Sequence, residues 1–217
     1  MALLPTPTDR LPRLPRSFAM RDTVTVARAL IGQLLVRQLG DGSRVSGLIV
    51  ETEAYLGPED RAAHTYNSHR SERNESMWQQ ASTAYVYFTY GMHHCINVVT
   101  GDEQTPQAVL IRALQPIENH QAMQLHRPRA KRDTELCSGP AKLCQSLAID
   151  RDLDRIDLTT SKTLWLEQAR SRALPAAQIA VGPRVGIGSS GDWVHKPLRF
   201  AVRNNPHVSK PWVFIDP

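Results

Sequence analysis

The sequence predicts an α+β fold: a single domain with a curved, mainly antiparallel sheet flanked by helices. Three observations carry that expectation. Strand-like runs recur in pairs across short turns, as at residues 34–39 and 44–55 around Gly40-Asp41-Gly42. Residues 85–90 alternate aromatic and β-branched side chains, and two more apolar runs follow at 94–100 and 108–114. Helix-start signals stand between such runs, which favours mixed rather than alternating βαβ architecture.

In chain order, Asp22-Thr23 reads as an N-cap for a helix with Val26, Ala27, Leu30 and Ile31 at helical spacing, and Gly32 can close it. The hairpin at 34–55 follows. In its second strand, alternation places Val45, Gly47, Ile49, Glu51, Glu53 and Tyr55 on one face, and Leu48, Val50, Thr52 and Ala54 on the other. Gly57-Pro58 breaks that strand. Residues 58–81 are polar and basic and too long for an ordinary connection, so they are expected to be either functional or mobile. In the strand at 85–90, Tyr85, Tyr87 and Thr89 share a face, and Gly91 permits a tight turn. A helix is expected over 116–127, followed by the basic run Arg127-Pro-Arg-Ala-Lys-Arg132. Ser138-Gly-Pro-Ala-Lys142 reads as a second helix start whose free N–H groups and Lys142 suit an anion. A strand and loop are expected over 158–168, and short strands broken by Gly and Pro over 179–217.

The chain has 217 residues, 41% hydrophobic and 22% charged, which suits one domain with a real core. A net charge of +5 favours an anionic partner, nucleic acid first and membrane surface second. Cys95, Cys137 and Cys144 form no Cys-x-x-Cys pair and read as reduced thiols. The eight histidines lack ligand spacing, so no metal and no cofactor is expected. No apolar run reaches membrane-spanning length, and residues 1–16 have no signal-like apolar region. With Pro5, Pro7, Pro12, Pro15, Arg10, Arg13 and Arg16, that stretch reads as a basic, poorly ordered lead-in.

Chemistry concentrates at Glu51-Thr-Glu-Ala-Tyr-Leu-Gly-Pro-Glu-Asp60, with His64 close behind. Carboxylates seldom end a buried apolar strand without a partner or a task. Glu53 is the leading general base, Glu51 is its competitor, and either could instead be a structural carboxylate paired with an arginine. All five tyrosines (55, 66, 85, 87 and 90) lie within this part of the chain, as a planar, electron-rich pocket would require. Ordinary core packing is the plainer reading of any one of them. Arg112 ends an apolar strand as either a carboxylate partner or a phosphate ligand. Asn97 sits inside a strand and needs a partner. Arg127, Arg129, Lys131, Arg132, Lys142, Arg199, Arg203 and Lys210 could together trace a phosphate backbone.

At these residues the chain resembles the 3-methyladenine (alkyladenine) DNA glycosylase family of the human type, not the helix-hairpin-helix type. The resemblance rests on Val50-Glu-Thr-Glu-Ala-Tyr-Leu-Gly-Pro-Glu-Asp60, Ala84-Tyr-Val-Tyr-Phe-Thr-Tyr-Gly-Met92, Leu110-Ile-Arg-Ala-Leu114, Leu136-Cys-Ser-Gly-Pro-Ala-Lys-Leu-Cys-Gln145, Arg184-Val-Gly-Ile-Gly188 and Lys196-Pro-Leu-Arg-Phe200. It implies a monofunctional base-excision repair enzyme, within residues 17–217, that flips alkylated or deaminated purines from double-stranded DNA and hydrolyses the N-glycosidic bond. It further implies that Glu53 activates water, helped by Arg112 and the main chain of Val185, and that Tyr55, His64 and Tyr87 sandwich the base. Tyr90 would wedge into the duplex, with Met92, His93 and Lys142 also on DNA, and Asn97 would crowd the guanine amino group. His93 stands where the human type has a tyrosine, and the loop at 67–80 differs. The implied protein is a monomer without membrane attachment, in the cytoplasm (nucleoid) of a bacterium or the nucleus of a eukaryote. A non-catalytic damage- or RNA-binding module and a hydrolase of free nucleosides are the alternatives.

Overall fold

The structure is a computed structural model that describes residues 10–89, 91–102 and 105–214. Eight antiparallel strands form one sheet: Leu34–Gln38 (β1), Arg44–Tyr55 (β2), Ala84–Thr89 (β3), His93–Thr100 (β4), Gln107–Glu118 (β5), Leu164–Glu167 (β6), Ile179–Gly182 (β7) and Arg199–Val202 (β8). The order is β3-β4-β5-β2-β1-β6. β2 is the spine: β5 runs along one edge, while β1 takes the first half of the other edge and β8 the second. Among the described residues five α-helices accompany the sheet: Arg16–Ala19 (α1), Thr23–Leu30 (α2), His120–His126 (α3), Asp133–Leu136 (α4) and Pro140–Ser146 (α5). The α+β expectation holds.

α2 forms where expected. The Asp22 carboxylate accepts from the Thr25 N–H at 2.8 Å, and Val26, Ala27 and Leu30 are buried. Its face packs on β2, where the Thr52 hydroxyl donates to the Ala27 carbonyl at 2.9 Å. Leu136, Leu143 and Leu147 from α4, α5 and the residue after α5 close the same large core.

The helix expected over 116–127 begins later. β5 continues through Pro116 to Glu118, and α3 starts only after Asn119, whose left-handed backbone and side-chain cap to the Ala122 N–H turn the chain. Pro116 is tolerated in the strand because it sits at a register shift between β2 and β5. Residues 10–16 pack on the fold. The Leu14 N–H bonds the Leu166 carbonyl at 3.0 Å, the Arg13 guanidinium lies 4.6 Å over Trp165, and Arg16 pairs with Asp157 at 2.5 Å. Prolines cannot donate, but their carbonyls can accept, and Pro12 does so from the Gln168 N–H.

The largest correction lies in β2. Ile49 pairs with Leu114 but Glu51 pairs with Ala113, so Val50 is an extra residue; then Thr52 pairs with Ile111, so Arg112 is the extra residue on β5. These two bulges reverse the alternation midway. Ile49 and Ala54, of opposite parity, share the main core, while Leu48 and Val50 belong to a second, smaller one. Glu51, Glu53 and Tyr55 therefore leave the face of Val45 and Ile49 and look the other way.

Candidate active site

The turned face holds buried charge in balance: Glu51, Glu53 and Asp60 against Arg112, Arg184 and Arg199, all buried. Isolated, each would be prohibitively costly there; paired and hydrogen-bonded, they are tolerable. The two strand carboxylates have different surroundings. Glu51 is saturated. It accepts from Arg112 Nε at 2.9 Å, Arg199 Nε at 2.7 Å, the Ser209 N–H at 2.7 Å and the Ser209 hydroxyl at 2.9 Å. Glu53 accepts from the Val185 N–H at 2.7 Å and the Tyr55 hydroxyl at 2.9 Å, and Arg112 Nη1 lies 3.3 Å away. A carboxylate offers about four acceptor positions, so this set leaves Glu53 acceptor capacity on the oxygen that Tyr55 touches.

Burial, and then the neighbouring Glu53 charge, push the Tyr55 phenol well above its ordinary range. It stays protonated and can only donate to that carboxylate. Burial works against the Arg112 charge, but Glu53 and Glu51 more than offset it and hold the guanidinium above its usual value.

Above Glu53 opens a cavity of about 340 Å³. Glu53 itself lies under the wall, and Tyr55, Arg112 and Val185, its three partners, line it. Tyr55 comes from the end of β2, Tyr85, Tyr87 and Thr89 from one face of β3, Asn97 from β4 and Arg112 from the β5 bulge. The segment expected to be functional or mobile carries His64 to the same cavity through 3₁₀ turns at Gly57–Glu59, Tyr66–Ser68 and Glu72–Trp78. It is pinned by the Thr65 hydroxyl on the Pro106 carbonyl at 2.9 Å and by the Asn74 amide on the His64 carbonyl at 2.8 Å.

The His64 ring stands edge-on to Tyr87, centroids 4.7 Å apart at 79°, and its Nδ1 lies 2.7 Å from the Tyr85 hydroxyl. Tyr85 is thus a buttress, and Tyr55, His64 and Tyr87 are the walls. His64 is exposed to solvent, yet the desolvation of its ring against Tyr85 and Tyr87, then the Arg73 and His69 charges, lower its pKa to about 4. Because this folded value lies below the ordinary 6.5, the site's tolerance for His64 is complete above that value and is lost as pH falls toward 4. A histidine-resolved NMR titration is expected to show His64 neutral down to about pH 4; a midpoint near 6.5 would contradict this packing. Asn97, the interior asparagine, donates to the Tyr85 carbonyl at 3.0 Å across the β3–β4 ladder.

Several site residues escaped the sequence reading. Cys95 sits opposite Tyr87 in the ladder and lines the cavity; burial pushes its thiol up, against a hydrogen bond with Tyr87, so it serves as an unreactive wall. Its place on β4, two residues before Asn97, was the available signal. Gly186 and Ile187 border the cavity beside Val185, and Gly186 takes φ +79°, which favours glycine. Arg184 and Asp60 were read only as parts of motifs.

The expected DNA contacts lie on separate elements. Tyr90 lies outside the described residues. Met92 is exposed and His93 half-buried at the β3–β4 tip, beside Phe88, whose exposed ring packs on His94. Lys142 lies in the first turn of α5, 3.5 Å from the Ser138 hydroxyl, and the first residue of that helix, Pro140, borders the cavity. Arg199 cannot track phosphates: it is fully buried, held by Glu51 and by the Ser209 and Pro211 carbonyls at 2.9 and 2.8 Å. Arg127 is half-buried on Gln145, and Arg132 pairs with Glu135, whereas Arg129, Lys131 and Lys210 are exposed. Among the described residues no three His, Cys, Asp or Glu side chains converge as a metal site, and no helix is long and apolar enough to cross a membrane.

The methylpurine-DNA glycosylase family model matches residues 17–206. DNA-3-methyladenine glycosylases of Mus musculus and Homo sapiens are each 44% identical over 211 residues, covering 94% of this chain, and the Rattus norvegicus protein is 43% identical over the same length. The chain spans 63% of the mouse protein, 65% of the rat protein and 70% of the human protein. A match running from α1 past β8, and so through every element that builds the pocket, shows that the chain belongs to the methylpurine-DNA glycosylase family.

Proposed function

We propose that this chain is a monofunctional DNA glycosylase of base-excision repair, which takes an alkylated or deaminated purine out of double-stranded DNA and hydrolyses its N-glycosidic bond. The observation that carries the reading is Glu53, buried under an aromatic pocket with three donors on it and acceptor capacity remaining. In the proposed mechanism the base enters between Tyr55, His64 and Tyr87. A ring-alkylated purine is cationic, so aromatic faces favour it and it leaves readily. Extruding a base costs a few kcal/mol and least at damaged pairs, so selection starts before chemistry. Glu53 takes the proton of a water aimed at C1′ and stabilises the oxocarbenium-like sugar, a logic shared with glycoside hydrolysis. Asn97 meets the base edge where guanine carries its amino group. No lysine is among the described lining residues, in keeping with hydrolysis rather than imine chemistry.

In this reading residues 17–217 act as a monomer on DNA, in the nucleoid of a bacterium or the nucleus of a eukaryote. Met92, His93 and Lys142 contact the duplex, and Tyr90 serves as wedge. The test is release of free base under single-turnover conditions from duplexes carrying 3-methyladenine, 7-methylguanine, hypoxanthine or ethenoadenine. Fastest release of the cationic bases is expected. Binding without release would make the protein a recognition module, and equal activity on free nucleosides would make it a nucleoside hydrolase.

A further inference from the structure

Asp60 and Arg184 form a doubly buried ion pair outside the reacting set. Neither side chain reaches solvent. The fork is bidentate: Arg184 Nη1 donates to Asp60 Oδ2 at 2.5 Å and Nη2 to Oδ1 at 2.8 Å. Asp60 also accepts from the Leu56 and Ala62 N–H groups, each at 3.0 Å, which fills its four acceptor positions.

What this pair holds is the site itself. Arg184 precedes Val185, whose N–H sits on Glu53. Its Nη1 also donates at 2.9 Å to the carbonyl of Ala54, the residue between Glu53 and Tyr55. Its guanidinium lies 4.6 Å over the Tyr55 ring. Asp60, through Ala62, fixes the start of the segment that brings His64 to the cavity. One planar fork thus locks the Val185 strap, the Tyr55 wall and the His64 segment to one another.

We propose that Asp60 and Arg184 are positioning residues of the glycosylase reaction, setting the Val185 N–H and the Tyr55 hydroxyl against Glu53; this rests on the reading above. A pair that served stability alone would affect melting and leave the bond-breaking rate of the folded protein intact. A positioning pair governs the rate, because a misplacement of about 1 Å can cost ~10²-fold. Lysine keeps the charge at 184 but not the fork or the stack, so Arg184→Lys is expected to retain more activity than Arg184→Gln.

The experiment measures single-turnover release of 7-methylguanine from a methylated duplex and affinity for a duplex bearing a tetrahydrofuran abasic analogue. Asp60→Asn, Arg184→Lys and Arg184→Gln are compared with the unaltered protein at a temperature where a melt shows each folded. Release about 100-fold slower with affinity unchanged, and Lys ahead of Gln, is the expected result. Unaltered release in a folded variant, or rate and affinity falling together, overturns the proposal. Should Asp60→Asn fail to fold, the Lys and Gln pair at 184 still decides it. No release by the unaltered protein overturns the glycosylase reading, and this proposal with it.

Discussion

Glu53→Gln is expected to lower single-turnover base release by about 10²–10⁴-fold while leaving affinity for damaged duplex close to unaltered. The reasoning is local. Glutamine is nearly isosteric, its carbonyl still accepts the Val185 N–H, and Arg112 keeps its second carboxylate, Glu51. The fold therefore survives. What is lost is an oxygen able to take a proton from water, together with the negative charge facing the developing sugar cation. Release at the unaltered rate would remove Glu53 from the role of base. Because Tyr55 donates to the same carboxylate, the amide also loses one acceptor there, which separates this variant from one that merely empties the pocket.

Glu51→Ala is expected to fail differently. It leaves Arg199 buried without a carboxylate and Arg112 with Glu53 alone, and frees the Ser209 N–H and hydroxyl. Removing one member of a buried charged network costs about 3–5 kcal/mol, a large share of a small domain's stability. Urea denaturation should show the midpoint falling by that equivalent, and activity should disappear with the fold rather than ahead of it. A folded, stable Glu51→Ala protein with lost base release would instead make Glu51 the reacting carboxylate.

These two expectations diverge because of surroundings that the residue pattern does not reveal. The β2 limits and the hairpin to β1 followed from apolar runs and Gly40-Asp41-Gly42, and Tyr85, Tyr87 and Thr89 line one cavity as alternation required. Local rules sufficed there because pairing joins near neighbours in sequence. They failed where tertiary contacts decide. Glu51 and Glu53 have the same parity and could be ranked only by resemblance; the structure separates their environments by bringing Ser209 and Arg199 to one and Val185 to the other, from about 130 to 160 residues away. Arg199 read as a surface cation because its strand is short and flanked by Pro and Lys, and nothing local shows that the chain end folds over it. Pro116 read as a helix start, since proline is common there, and yet it sits in a strand whose register shift makes room for it.

The paired bulges at Val50 and Arg112 have an evolutionary corollary. Which side chains reach the pocket is stored in the number of residues between Ile49 and Glu53, and not only in their identity. One further residue there, not absorbed by the bulge, would present Thr52 and Ala54 to the cavity and turn both glutamates into the apolar core with every reacting residue still in the chain. Drift by substitution is thus tolerated at Val50, an ordinary apolar position, in a way that drift by insertion is not. In this segment, length is the inherited quantity that selection must guard.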